Sequence, residues 1–100
     1  MTVVPIANEF IQLVRSGAKS STIRHGARSW PIGPAILKSQ NQEIAINITE
    51  IRRTTVLQLT ETDARNDGFN SLDELLVRLG QFYPGLCSSD EVTIAYFGVV

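Results

Sequence analysis

One hundred residues with 43% hydrophobic side chains suffice for one domain with one modest core, burying about two thirds of the unfolded chain's surface, and this ordinary composition excludes a disordered chain. A formal net charge of −1 argues against a protein that grips nucleic acid through bulk positive charge, while one cysteine and one histidine exclude an internal disulfide and a conventional zinc site. No run of eighteen apolar residues and no charged-then-apolar leader at Met1 to Pro5 occurs, so neither a membrane span nor secretion is expected and the expected compartment is the cytoplasm.

In chain order, Pro5 fits the first turn of a helix, and Ile6, Phe10, Leu13 and Val14 recur at i, i+4, i+7 and i+8 until Gly17 ends it. The run Gly17-Ala18-Lys19-Ser20-Ser21-Thr22-Ile23-Arg24 then feeds a strand. Ala35 to Lys38 and Glu43 to Leu59 read as strands joined through residues 39–42, with Ile44, Ile46 and Ile48 alternating against Ala45, Asn47 and Thr49. The apolar phase flips at Ile51, which predicts a bulge or bend after Ile48. Thr60 opens a short helix with Asp63 in a capping-box arrangement, and Gly68 ends it. Ser71 and Glu74 form a fuller capping box ahead of Leu72, Leu75, Leu76, Leu79 and Phe82, an apolar stripe assigned to the core, which Pro84 stops. Val92 to Phe97 is the closing strand. Strands arriving in a run between helical segments predict an α+β fold: a small, mostly antiparallel β-barrel of five or six strands with about three flanking helices, one domain over residues 1–100.

Charge is unevenly spread along this order. Residues 1–56 hold seven basic groups (Arg15, Lys19, Arg24, Arg28, Lys38, Arg52, Arg53) against three acids (Glu9, Glu43, Glu50), whereas residues 57–100 hold two against seven. Solvated charges on opposite sides of the domain, or a basic patch from the first half, would each account for it.

The Gly17 to Arg24 run carries the densest chemistry. A lysine beside a hydroxyl activates a weak nucleophile without histidine. On an ideal strand, Ser20, Thr22 and Arg24 share one face and Lys19, Ser21 and Ile23 the other, so amine and hydroxyl meet only if the chain is irregular between Gly17 and Ser20. Bland alternatives stand beside each candidate. Arg24 either clamps a substrate phosphate or carbonyl or pairs with a surface acid. Arg28 and Trp30 either offer a stacking platform for a base or, for Trp30, seal a barrel end. His25 and Cys87 read as loop residues.

The pattern Gly-x-Lys-x-x-Thr-x-Arg, with the helix before it, the Thr60-Glu61 helix opening, Leu75 and Tyr83-Pro84-Gly85 in order after it, resembles the ASCH domain family. The resemblance implies a PUA-like fold. In the small branch that removes the acetyl group from N4-acetylcytidine it implies catalytic roles for Lys19 and Thr22, with an acid from the segment between the later helices. That acid would be Asp67, where the branch has glutamate; Glu74 and Asp63 are the alternatives. Asp67 paired with Lys19 would keep the ammonium charged for stabilising an oxyanion, leaving Asp67 or water to activate Thr22. Ser20, Arg24, Arg28 and Trp30 are the candidate substrate-binding residues, and neither a cofactor nor a metal is expected. The expected function is that of a small amidohydrolase acting on N4-acetylcytidine or a related acylated nucleoside. The alternative is a non-catalytic RNA-binding module of PUA type, with an open basic surface of Lys19, Arg24, Arg28, Lys38 and Arg52. The partner is accordingly a small nucleoside or RNA, and the oligomeric state is left open.

Overall fold

A computed structural model describes residues 1–100, and its first element is a strand, β1 (Thr2–Pro5), where a helical start was predicted. β1 pairs in parallel with β3 (Gly33–Lys38), and Pro5 closes it against Lys38. Proline is tolerated there because β1 is an edge strand, whose outward side needs no N–H. The helical turns come later than predicted: a 3-10 turn at Asn8–Phe10 runs into α1 (Ile11–Ser16), which buries Ile11 and Val14. Gly17 ends it in the left-handed region at φ +85°, the conformation a residue without Cβ reaches most readily.

The other elements are β2 (Ser21–His25), β4 (Glu43–Thr55), α2 (Glu61–Asn66), α3 (Leu72–Phe82) and β5 (Glu91–Val99). Together the strands make one curled sheet in the order β1-β3-β4-β5-β2, antiparallel at every junction except β1/β3. It is an α+β half-barrel with three helices, and its two edges, β1 and β2, are not hydrogen-bonded to each other. The predicted bulge is present: the β4/β5 register shifts between Ile48 and Glu50, so Ile44, Ile46 and Ile48 before it and Ile51 after it all reach the same side. β4 stops at Thr55, short of the predicted Leu59. There a 3-10 turn at Val56–Gln58 takes over, with the hydroxyls of Thr54 and Thr55 both donating to Gln58 Oε1.

Two apolar clusters sandwich the sheet. Val4, Ile11, Val14, Leu37, Ile46, Ile48 and Phe97 fill the inside of the half-barrel under α1, with Trp30 packed at its margin. Ile23, Val92 and Ile94 from β2 and β5 meet Leu59, Ala64, Leu75 and Leu79 of the α2–α3 layer on the outside. The two later helices begin as their caps dictate. Thr60 and Asp63 form the complete reciprocal box at α2. Ser71 Oγ accepts from Glu74 N–H at α3, but the Glu74 carboxylate accepts from Asn70 N–H instead of closing the predicted box. Phe82 also departs from its core assignment: it is 49% exposed at the end of α3, while Leu75 and Leu79 are buried. No helix is long and apolar enough to cross a membrane.

Candidate functional site

Three segments deliver their polar groups to one place. After Gly17 the chain does not enter the ladder at once: Lys19 N–H donates to the Leu13 carbonyl at 2.9 Å and Ser20 N–H to the Asn66 carbonyl at 2.7 Å, and β2 begins at Ser21. This is the predicted irregularity, and it turns Lys19 into the cavity that Thr22 also lines, although the Lys19 ammonium bonds Asp67 and not the Thr22 hydroxyl. The loop after α2 presses against it through Gly68. At φ +94° a Cβ there would lie 3.2 Å from Leu13 Cδ1 and 3.3 Å from Lys19 Cβ, so the close approach needs glycine twice over.

Lys19 is 3% exposed, and its Nζ donates to Asp67 Oδ1 at 2.6 Å and to the Asp67 carbonyl at 3.1 Å. The ammonium also lies 5.1 Å from the centre of the Phe10 ring. Burial pushes the Asp67 carboxyl up to about 6, against the pull of Lys19. The same burial brings the Lys19 ammonium below its ordinary value; Asp67 opposes this, and the nearby Arg24 charge adds to it. Asp67 Oδ2 accepts no hydrogen bond.

Thr22, 1% exposed, receives a hydrogen bond on Oγ1 from Arg24 Nη1. The same guanidinium donates to the Ile23 carbonyl at 3.4 Å and to the Pro5 carbonyl of β1, so it fastens the open seam of the half-barrel. It pairs with no acid. Burial lowers its pKa, yet a guanidinium stays protonated in proteins. Thr22 therefore has one lone pair held by a cation, while its own hydroxyl proton donates to no protein group.

Lys19, Thr22, Arg24 and Asp67 all line a cavity of about 400 Å³ in that seam. Its volume falls within the range of roughly 300–1,000 Å³ found for small-molecule sites. Pro5, Ile6, Ala7 and Phe10 form one wall, Phe69 the floor beside Asp67, and Leu75, Leu79, Phe82 and Tyr83 the α3 wall. Arg78 closes the rim: it pairs with Glu9, and its guanidinium lies 5.7 Å from the Phe10 ring and 4.7 Å from that of Phe82.

The remaining candidates lie elsewhere. Ser20 and Arg28 are exposed and Trp30 is half-buried; none of the three lines this cavity. Arg28 instead organises the loop after β2, its N–H donating to Thr93 Oγ1 and its Nε to the His25 carbonyl. Of the alternative acids, Asp63 has both oxygens engaged, Oδ1 by Arg52 at 2.6 Å and Oδ2 by Thr60 N–H, and Glu74 is exposed and tied to Asn70. Neither lines the cavity. His25 bonds Asp90 at 3.2 Å outside it, Cys87 is exposed, and nowhere do three His, Cys, Asp or Glu side chains gather as a metal site would need. The aromatic walls were not identified as functional from sequence. Phe69 immediately after Asp67-Gly68 was the available signal, whereas Phe10 and Phe82 sit in helical stripes that look like core.

No family model matches the sequence, and no curated protein matches it. Solved structures do. An ASCH domain from Lactobacillus crispatus superposes with a TM-score of 0.83 at 15% identity, covering 98% of this chain and 79% of that one. A protein from Enterococcus faecalis gives 0.71 at 20%, covering 93% and 68%. A point mutant of ZmASCH from Zymomonas mobilis gives 0.69 at 15%, covering 96% and 67%. At these identities the likeness speaks for architecture alone, and that architecture is the ASCH domain fold.

Proposed function

We propose that the protein is a small amidohydrolase that cleaves the acetyl amide of N4-acetylcytidine or a related acylated nucleoside. The observation that carries this is the convergence of Lys19, Thr22 and Asp67 on one largely apolar cavity. Such a cavity suits a neutral planar base between aromatic walls, with the polar groups gathered at one end.

Thr22 Oγ1 attacks the acetyl carbonyl carbon while its proton passes to the free Oδ2 of Asp67, directly or through one water. The oxygen of the tetrahedral intermediate gathers negative charge, which the Lys19 ammonium and the Arg24 guanidinium stabilise. Collapse breaks the C–N bond, and the proton on Asp67 goes to the departing amine. Water then hydrolyses the acetyl-threonine ester with Asp67 again taking a proton, so amide and water become amine and acetate. Asp67, with its pKa near 6, is ionised at neutral pH yet basic enough to accept a proton, which suits both half-reactions.

Release of acetate from N4-acetylcytidine by the purified protein is the test. Thr22→Ala and Lys19→Ala are each expected to lower kcat by about a thousandfold or more, and unchanged rates would overturn the assignment. The alternative RNA-binding module needs an open basic surface. Here Lys19 is buried, Arg24 spans the seam and Arg52 is engaged by Asp63. Binding of single-stranded RNA that weakens steeply with salt, in a protein that releases no acetate, would restore that alternative.

A further inference from the structure

β2 is an edge strand, and one of its backbone groups is left without a partner inside the cavity. Phe97 N–H bonds the Ser20 carbonyl and Gly26 N–H bonds the Glu91 carbonyl, which fixes the phase of the β2/β5 ladder. In an antiparallel pair the hydrogen-bonding residues alternate. Thr22 and Arg24 therefore bond β5, while Ser21, Ile23 and His25 turn their N–H and C=O groups to the open edge. Of those three, only Ile23 lines the cavity, and it is 3% exposed. Its carbonyl on that edge already accepts from Arg24 Nη1. Its N–H donates to nothing in the sheet, because the facing edge strand, β1, is not hydrogen-bonded to β2 and the Pro5 carbonyl already accepts from Arg24.

A buried backbone N–H without a partner is rare and costly unless something fills the space in front of it. We infer that the Ile23 N–H is the backbone donor that holds the carbonyl oxygen of the bound acyl group, beside Thr22 and opposite the Lys19 and Arg24 cations. This rests on the amidohydrolase assignment and adds to it which group orients the acetyl. A nucleophile followed directly by an edge amide presents attacking oxygen and donor from neighbouring residues, and the donor is fixed by the strand before the substrate arrives. It also selects ligands that offer an acceptor there: an acylated base meets the requirement at this point, and cytidine without its acetyl group does not.

Two measurements test it. In 15N-labelled Thr22→Ala protein, which keeps the amide but removes the nucleophile, N4-acetylcytidine is expected to move the Ile23 amide proton downfield by more than any other cavity resonance, and cytidine is not. Shifts at Lys19, Phe69 and Tyr83 that spare Ile23 would overturn this inference while leaving the binding site standing. No shift anywhere, together with no acetate release by the wild type, would bring down the amidohydrolase assignment and the inference with it. In the otherwise wild-type chain, replacing the residue 23 amide by an ester removes no ladder bond, and kcat/KM for acetate release is expected to fall about 10²–10³-fold. The same replacement at Ser21, whose amide lies on the same edge but not in the cavity, is the matched control, and equal losses at both positions would overturn the inference.

Discussion

Two ion pairs tie the α2 region to the rest of the chain at the same distance, 2.6 Å, and they do different work. Arg52–Asp63 is half in solvent on the arginine side, and its acid is used up: one oxygen holds the guanidinium and the other caps α2. Lys19–Asp67 is buried on both sides, only one carboxylate oxygen is engaged, and both residues line a cavity. The two acids are equally buried, at 6% and 5% exposure, and at Asp67 that burial lifts the carboxyl to about 6. What distinguishes the two is whether the second carboxylate oxygen is engaged; neither burial of the acid nor the ion-pair distance does.

The sharpest way to break this comparison is to neutralise each acid. Asp67→Asn is expected to lower kcat by about 10²–10⁴-fold, the usual contribution of a positioned acid–base group. Asp63→Asn is expected to leave kcat within about threefold and instead to cost about 1 kcal/mol of stability through the weakened cap, read by chemical denaturation. Comparable kinetic losses from both would erase the distinction.

Removing the cations comes next. Lys19→Met strands a buried carboxylate and is expected to destabilise the fold by about 3 kcal/mol, much of it recovered in the double variant Lys19→Met/Asp67→Leu. Arg52→Met removes a half-exposed partner and is expected to cost less than about 1 kcal/mol. Gly68→Ala tests the packing that holds the buried pair in place. The left-handed backbone and the crowded Lys19 Cβ together predict a loss of about 1–2 kcal/mol and a reduced kcat, with the second effect absent if Lys19 does not depend on this contact.

The smallest effects are those of pH. In the proposed mechanism Asp67 acts ionised and Lys19 protonated, so kcat/KM is expected to rise as pH increases through about 6 and to fall again at a pH below the ordinary lysine range. The folded protein holds the Asp67 proton more tightly than the unfolded chain, whose carboxyl titrates near 3.8, so this residue's contribution to stability is present at low pH and lost as pH rises from about 4 to 6. Wild type should therefore lose stability relative to Asp67→Asn across that interval, and a difference that stays flat would contradict the burial assigned to Asp67.

Much of this was legible in the residues because it rests on local rules. The phase flip at Ile51 marked the bulge, Thr60 with Asp63 marked the start of α2, and the geometry of Lys19 and Thr22 demanded the irregular entry to β2 that is found. What sequence could not disclose depends on distant neighbours. Thr2–Pro5 is too short to declare itself a strand until β3 lies beside it, and Pro5 looked like a helix opener because its edge position was unknown. Asp67 stood ahead of Asp63 and Glu74 only through the family resemblance; the hydrogen bonds each one makes in the fold, and which of them lines the cavity, separate them physically. Arg24 looked like a clamp for substrate or a partner for a surface acid, since nothing in the chain places residue 5 next to residue 24.

That last contact joins two parts of the molecule through one side chain. One guanidinium bridges the margins of an unclosed barrel and donates to the Thr22 hydroxyl proposed as the nucleophile. In the proposed mechanism, a change in the spacing of the two sheet margins would therefore act on the side chain that also holds Thr22, so the shape of the seam and the setting of the hydroxyl are linked through one residue.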